Sequence, residues 1–264
     1  MFKGAIHVHS TYSDGELSLP ELRKGFLSAG CAFVVLTDHA ECFDPPEVQM
    51  YIHECELLSD DHFLFIPSLE YECEQRMHIL GLGAVQLLQT DDPEEVIAAI
   101  EREGGISVIA HPPDVIFDHI ADFLVLPDGI ETWNTKYDGG YAARPATFRL
   151  LNRLQKRKPG MHGFYGQDLH WRKQCRDLFT MVDCGRLTST HILSALRRGD
   201  YYGVKGHLKL PSDGQLPSDL VERFEVLQQH SGRMRRIGRR VTSLVKRLAF
   251  LIPFSPRSAM RRLF

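Results

Sequence analysis

The sequence predicts a mixed α/β domain, either a (β/α) barrel or a doubly wound sheet, and three observations carry that reading. Short apolar runs recur along the chain at Ala5–Val8, Phe33–Leu36, Phe63–Ile66, Ile79–Leu82, Ile106–Ile109, Ile130–Trp133 and Met161–Tyr165. Continuous runs of this length suit strands buried on both faces, as in a parallel sheet. Amphipathic segments with helix start and stop signals lie between most of them, and strand–helix alternation of this kind defines the α/β class. Almost every run also ends on a His or a carboxylate, and barrel enzymes gather their chemistry at the C-terminal ends of strands.

The helical segments are readable from their ends. Ser18-Leu-Pro-Glu21 offers a cap, an early proline and a capping-box glutamate, and Gly30 stops the helix. Asp92-Pro93-Glu94-Glu95 opens another, closed by Gly104-Gly105. Thr188 to Arg198, stopped by Gly199, is a third. Residues 206–222 are rich in Pro, Gly, Ser and Asp and read as linker. The expected organisation is a main α/β domain over 1–205, a transition segment over 206–230 and a basic tail over 231–264.

Composition narrows the class. At 264 residues, 43% hydrophobic and 25% charged, the chain can build a core without staples. Six cysteines show no CxxC pair and no framework spacing, so they read as reduced thiols of a cytoplasmic protein. The first residues show no signal-peptide pattern, and no apolar stretch approaches a membrane span. Net charge is uneven. Residues 231–264 hold ten Lys/Arg and no Asp/Glu, which leaves −13 on residues 1–230 against −3 for the whole chain.

The chemistry lies in the ionisable residues at the run ends. The first run ends His7-Val8-His9, and residues two apart on a strand point the same way. Asp14 follows in a Ser-Asp-Gly turn, the second run ends Thr37-Asp38-His39, and the third leads to Glu70. His78 begins the fourth run, against the pattern; His111 ends the fifth, and Asp168 and His170 end the last. Any one histidine at such a position is ordinarily structural, but this many would be independent accidents. Imidazole with carboxylate suits Zn²⁺, Mn²⁺ or Fe, and the number of ligands exceeds what one ion takes. Paired ions clamp both oxygens of a phosphoryl transfer, and a bridging water becomes hydroxide near neutral pH.

In their order, HVHSTYSDG, TDH, the lone Glu70, His78, AHP and QDLH resemble the PHP (polymerase and histidinol phosphatase) superfamily of metal-dependent phosphoesterases. The resemblance covers roughly residues 1–205. It implies a distorted (β/α)₇ barrel with two or three divalent ions at the strands' C-terminal ends. It further implies that His7, His9, Glu70 and Asp168 hold one ion, with Glu70 bridging to a second held also by His78 and His111. Asp14, His39 and His170 would hold the third. Every such position is filled, and QDLH puts a Gln where many relatives have a small residue.

Glu70, Asp168 and His170 are the residues expected to act directly in catalysis. Leaving-group protonation is assigned either to a metal-bound water or to His170. Asp38 should point off the site, either to orient its neighbours or in a structural role. Glu131 and Asn134 resemble a family element at the pocket wall. A phosphate needs further cations, for which Arg144 and Arg172 are the leading candidates and Lys205 a third. His53, His62, His119, His162, His191, His207 and His230 match no ligand position.

In the tail, Met234, Ile237, Val241, Leu244, Val245, Leu248 and Ile252 recur at spacings of three and four, with Arg and Lys largely elsewhere, up to Pro253. This basic amphipathic helix, over residues 233–252, suits an anionic membrane surface, so the expected location is the cytoplasm, peripherally at the inner face of the membrane. Packing against the barrel is the alternative, and nucleic-acid binding is a weaker one because interleaved aromatics are lacking. The function expected is a phosphomonoesterase acting on a small metabolite, nucleotide or sugar phosphate. The alternatives are a phosphodiesterase or nuclease, and a binding module that keeps metals for structure alone.

Overall fold

A computed structural model describes residues 1–174 and 177–229. The chain runs β1 (Phe2–Val8), α1 (Leu19–Ser28), β2 (Phe33–Leu36), β3 (Asp38–His39), α2 (Pro45–Leu57), β4 (Leu64–Ile66), β5 (Leu69–Cys73), β6 (Met77–Leu82), α3 (Pro93–Glu103), β7 (Ile106–Ala110), α4 (Phe117–Asp122), β8 (Gly129–Asn134), α5 (Pro145–Gln155), β9 (His162–Gly166), β10 (Leu178–Val182), α6 (Ser189–Arg198), β11 (Tyr201–Lys205) and β12 (Leu208–Pro211). A helical segment over 218–229 follows.

Helix ends form as the residues dictate. The Glu21 carboxylate accepts from Ser18 N (3.0 Å) and Ser18 Oγ (2.9 Å), and Leu19, Leu22 and Phe26 of α1 are buried. Burial of each such side chain contributes about 1.5–3 kcal/mol. Asp92 accepts from Glu94 N and Glu95 N at the start of α3, and Gly104 closes that helix at φ 84°. Only glycine enters that left-handed region readily.

Among the described residues the strands form two six-stranded sheets, in the orders β12-β11-β10-β1-β2-β4 and β3-β5-β6-β7-β8-β9. A single parallel ladder is not what the strands make. β5–β6 and β6–β7 are antiparallel, as are β1–β10, β10–β11 and β11–β12. The sheets meet along one seam where β2 passes into β3 and β4 into β5. They meet along another where Gln167 N donates to Ile6 O (3.0 Å) and His9 N to Leu169 O (3.0 Å). Apolar residues from both sheets, among them Ile6, Val35, Leu80, Val108 and Phe164, join one buried cluster. A second cluster gathers strand residues with the apolar faces of α1, α2, α3 and α5.

The stretch read as linker carries regular structure. β12 pairs with β11 from Leu208 to Pro211, and Leu210, Leu220 and Phe224 are buried. Its Pro, Gly, Ser and Asp residues serve the turns around those elements. The basic helix expected over 233–252 lies outside the described residues. No disulfide joins the described cysteines, and no described helix is long and apolar enough to cross a membrane.

Candidate metal centre

All nine side chains singled out from the sequence converge at one end of the two sheets. Their ligand atoms fall into overlapping groups in which every atom lies within 4.8 Å of the others: His9, Asp14, His39 and His170; His7, His9 and Asp168; His7, Glu70 and His111; His39, Glu70 and His78. Topology explains the convergence. β3 and β5 run parallel with His39 opposite Glu70. β6 runs against β7, placing His78 opposite Ala110, next to His111. His78 therefore begins its run yet stands at the same mouth, because its strand is reversed.

Three of the converging residues occupy left-handed backbone: His7 at φ 64°, His111 at φ 29° and Asp168 at φ 51°. Non-glycine residues rarely adopt this region, and such strain concentrates at functional sites. At His7 it coincides with a bulge against β2, between Ile6 and Val8. The same-face reading of His7 and His9 thus holds in outcome, with ring centroids 5.3 Å apart, although the strand between them is not ideal.

Glu70 occupies the centre, fully buried. Its Oε1 lies 2.9 Å from His78 Nδ1 and 3.4 Å from His111 Nε2. Its Oε2 lies 3.2 Å from His9 Nε2, 3.4 Å from His7 Nε2 and 3.6 Å from His39 Nδ1. One carboxylate thus divides the imidazoles into two sets.

Behind these residues lies a supporting layer. Glu131 Oε1 is 2.7 Å from His7 Nδ1, while its Oε2 accepts from His111 N (2.9 Å) and Asn134 Nδ2 (2.9 Å). That carboxylate aims the far nitrogen of His7 at Glu70 and Asp168, as outer partners of metal-binding histidines commonly do. Asn134 Nδ2 also donates to Asp168 Oδ2 at 3.2 Å. Asp38 points away from the cluster, as expected, and accepts from Ser10 N, Ser10 Oγ and Ser13 Oγ at 2.7–2.9 Å. It thereby holds the turn that carries Asp14.

The electrostatics follow from charge concentrated out of water. Burial alone would lower the His7 pKa, but Glu131, Glu70 and Asp168 outweigh it and raise it well above the usual value. Burial dominates at His9 and lowers it. Burial would raise Glu70 and Asp168, yet the surrounding imidazoles hold both well below the usual carboxylate range. His9 Nδ1, His9 Nε2 and His39 Nδ1 are buried with no hydrogen-bond partner. Orphaned imidazole nitrogens beside ionised carboxylates form a mixed N/O donor set that fits divalent cations.

The arginines expected to bind phosphate are engaged with other partners. Arg144 donates to Asp138 Oδ1 (2.6 Å), Asp114 Oδ1 (2.8 Å) and the Pro112 carbonyl (2.8 Å), and so braces the loop after His111. Arg172 pairs with Glu21 on the surface, and Lys205 pairs with Asp177. The cation beside the cluster is instead Lys136, whose Nζ is 3.2 Å from Asp168 Oδ1 and 3.1 Å from His170 Nε2. Sequence reading passed over it because a lysine in a polar turn looks like a solvated charge; the signal available was Asn134 two residues earlier, a residue that caps such turns.

Fold and cluster together define an α/β protein with a buried His/carboxylate cluster at the strand ends whose donor set suits divalent metal ions. The chain has the fold of a two-domain protein containing a predicted PHP-like metal-dependent phosphoesterase from Bacteroides vulgatus, at 18% identity and a TM-score of 0.54, covering 84% of this chain and 68% of that one. More distant are an amidohydrolase from Chromobacterium violaceum with bound sulfate (16% identity, TM-score 0.47, 64% and 88% covered) and a provisionally named metal-dependent phosphoesterase from Bifidobacterium adolescentis (16%, 0.45, 63% and 87%). No family model matches the chain, and no curated protein matches it.

Proposed function

We propose that the chain is a metal-dependent phosphoesterase of the PHP type, built on a distorted barrel made by the two seamed sheets, and that its substrate is a small phosphomonoester. The observation that supports this most is the division of imidazoles between the two oxygens of Glu70, since a carboxylate placed so can serve two ions. In this reading His7, His9, Glu70 and Asp168 hold one ion, Glu70, His78 and His111 a second, and Asp14, His39 and His170 a third. Such ions, Zn²⁺, Mn²⁺ or Fe by donor type, supply charge neutralisation and water activation near neutral pH.

The protein's own part is placement. Glu131 fixes His7, Asp38 fixes the turn bearing Asp14, and Asn134 steadies Asp168. A nucleic-acid substrate would require a continuous basic track. Arg144, Arg172 and Lys205 are each paired with a carboxylate, which favours a small substrate.

The test is phosphate release by protein loaded with Mn²⁺ or Zn²⁺ from an aryl phosphate and an aryl phosphodiester. Turnover of the monoester is expected. Turnover of the diester alone would move the assignment to a phosphodiesterase, and turnover of neither by metal-loaded protein would reject it. For the tail we propose contact with anionic lipid. Removing residues after Gly232 should leave turnover of a soluble substrate unchanged and abolish binding to phosphatidylserine vesicles. An intact chain that ignores such vesicles at low salt would refute this.

A further inference from the structure

Lys136 sits against the cluster of carboxylates and imidazoles. Its ammonium lies 3.2 Å from Asp168 Oδ1 and 3.1 Å from His170 Nε2, with three quarters of the side chain buried. Among the described residues, no other Lys or Arg side chain lies within ion-pair distance of any of the nine converging residues. The backbone beneath it is fixed. Asn134 Oδ1 accepts from Lys136 N (3.0 Å) and Tyr137 N (3.2 Å), while Thr135 Oγ1 donates to the Gln167 carbonyl (2.8 Å). The turn that presents Lys136 is thus tied to the same Asn134 that holds Asp168.

An ammonium group has donors and no acceptor, so it can neither ligate an ion while charged nor share Asp168 Oδ1 with one comfortably. Asp168 and His170 belong to different groups of the cluster. Asp168 Oδ1 also faces His7 Nε2 at 3.7 Å and His9 Nε2 at 3.8 Å, and His170 Nε2 faces Asp14 Oδ2 at 3.2 Å, so ions held there would compete with Lys136 for both atoms. Lysine is a point charge on a flexible four-carbon stem and can withdraw by a rotamer change without moving its backbone. From there it faces a cationic centre at short range, an arrangement made favourable by an anion between them.

We infer that Lys136, placed beside Asp168 and His170, seats a phosphate oxygen of the substrate in the metal-loaded protein. The inference rests on the phosphoesterase reading and deepens it by naming the residue that receives the phosphate. It replaces Arg144 and Arg172, whose guanidinium groups are committed to Asp138, Asp114 and Glu21. Lysine here would supply charge without the planar fork that arginine offers a phosphate.

The experiment compares Lys136→Met and Lys136→Arg with the wild-type full chain, loaded with Mn²⁺. Three quantities are read: metal stoichiometry, calorimetric affinity for inorganic phosphate, and KM and kcat on an aryl phosphate. Lys136→Met should keep its full metal complement while binding inorganic phosphate at least about tenfold more weakly, the size expected for one charge-assisted hydrogen bond, with KM raised in parallel. Lys136→Arg should recover most of the phosphate affinity, which a merely structural loss would not allow.

If Lys136→Met binds phosphate as tightly as wild type with metal loaded, the role assigned to Lys136 is wrong and the hydrolase reading survives. If it instead loses metal, Lys136 supports the centre and does not receive substrate. If wild-type protein with metals bound neither turns over the ester nor binds phosphate, the hydrolase reading falls and this inference with it.

Discussion

His7 Nδ1 and Glu131 Oε1 lie 2.7 Å apart with neither side chain exposed to solvent. The pair fixes which nitrogen of His7 faces the centre. A neutral imidazole that donates from Nδ1 presents a lone pair at Nε2, the atom 3.4 Å from Glu70 Oε2.

Glu131→Gln tests that relationship. Its Oε2 accepts from His111 N and Asn134 Nδ2, so an amide NH₂ turned there would oppose two donors. Metal affinity should fall by roughly 10–100-fold, as for other outer partners of metal-binding histidines. Calorimetric titration with Zn²⁺ or Mn²⁺ reads the change, and unaltered affinity would show that Glu131 only packs.

His9→Ala and Asp168→Ala should each lower metal stoichiometry and phosphate release together. His9 contributes two buried nitrogens that make no hydrogen bond and Asp168 a carboxylate held well below its usual pKa. Elemental analysis of the purified variants decides it. A full metal complement in both would remove these residues from the assigned set.

The raised pKa of His7 gives a pH dependence with a definite sign. A group whose folded pKa lies above its unfolded value contributes stability that is fully present below that unfolded value, near 6.5, and lost as pH rises through the folded value. Metal-free protein should therefore melt at lower temperature as pH rises from about 6.5 toward alkaline values. Metal-loaded protein should lack this fall, since ions replace the proton. Mn²⁺ affinity should rise over the same range because binding displaces that proton. Scanning calorimetry with and without metal at several pH values checks both, and parallel curves would contradict the account.

Gly166→Ala and Gly25→Ala should move stability in opposite directions. A Cβ at Gly166 would overlap the Glu131 carboxylate and lie 3.1 Å from His7 Cβ. Overpacking there should cost about 1–3 kcal/mol and weaken metal binding as well. At Gly25, inside α1, a Cβ meets nothing within 4 Å, so alanine should stabilise by about 0.5–1 kcal/mol through helix propensity. Urea unfolding of the two variants measures the contrast.

The runs that announced strands became β1, β2, β4, β6, β7, β8 and β9, because buried strands must be apolar on both faces. β5 stayed hidden since Leu69–Cys73 alternates Glu with apolar residues behind the break at Pro67. β10, β11 and β12 were missed for lack of a long apolar run, and the antiparallel course of β6 has no local signature. The nine converging residues were legible because His and carboxylate at strand ends are rare by chance. The left-handed backbone at His7, His111 and Asp168 was not, for nothing in a residue's type announces a strained φ. The pairing of Arg144 was not legible either, because its partners, Asp138 and Asp114, are identified only by the fold.

The hairpin of β5 and β6 pairs Glu70 with Leu80 and Glu72 with His78, while Leu69, Tyr71 and Ile79 turn into the apolar cluster on the other side. A slip of β5 by one position would drive its carboxylates into that oily layer and send the Tyr71 ring among the histidines. Cations shared by Glu70 and His78 would bind one alignment and not the other. Loading with metal during refolding should therefore sort the aligned hairpin from its misthreaded neighbours, so the ions would act as editors of chain threading before they act on any ester.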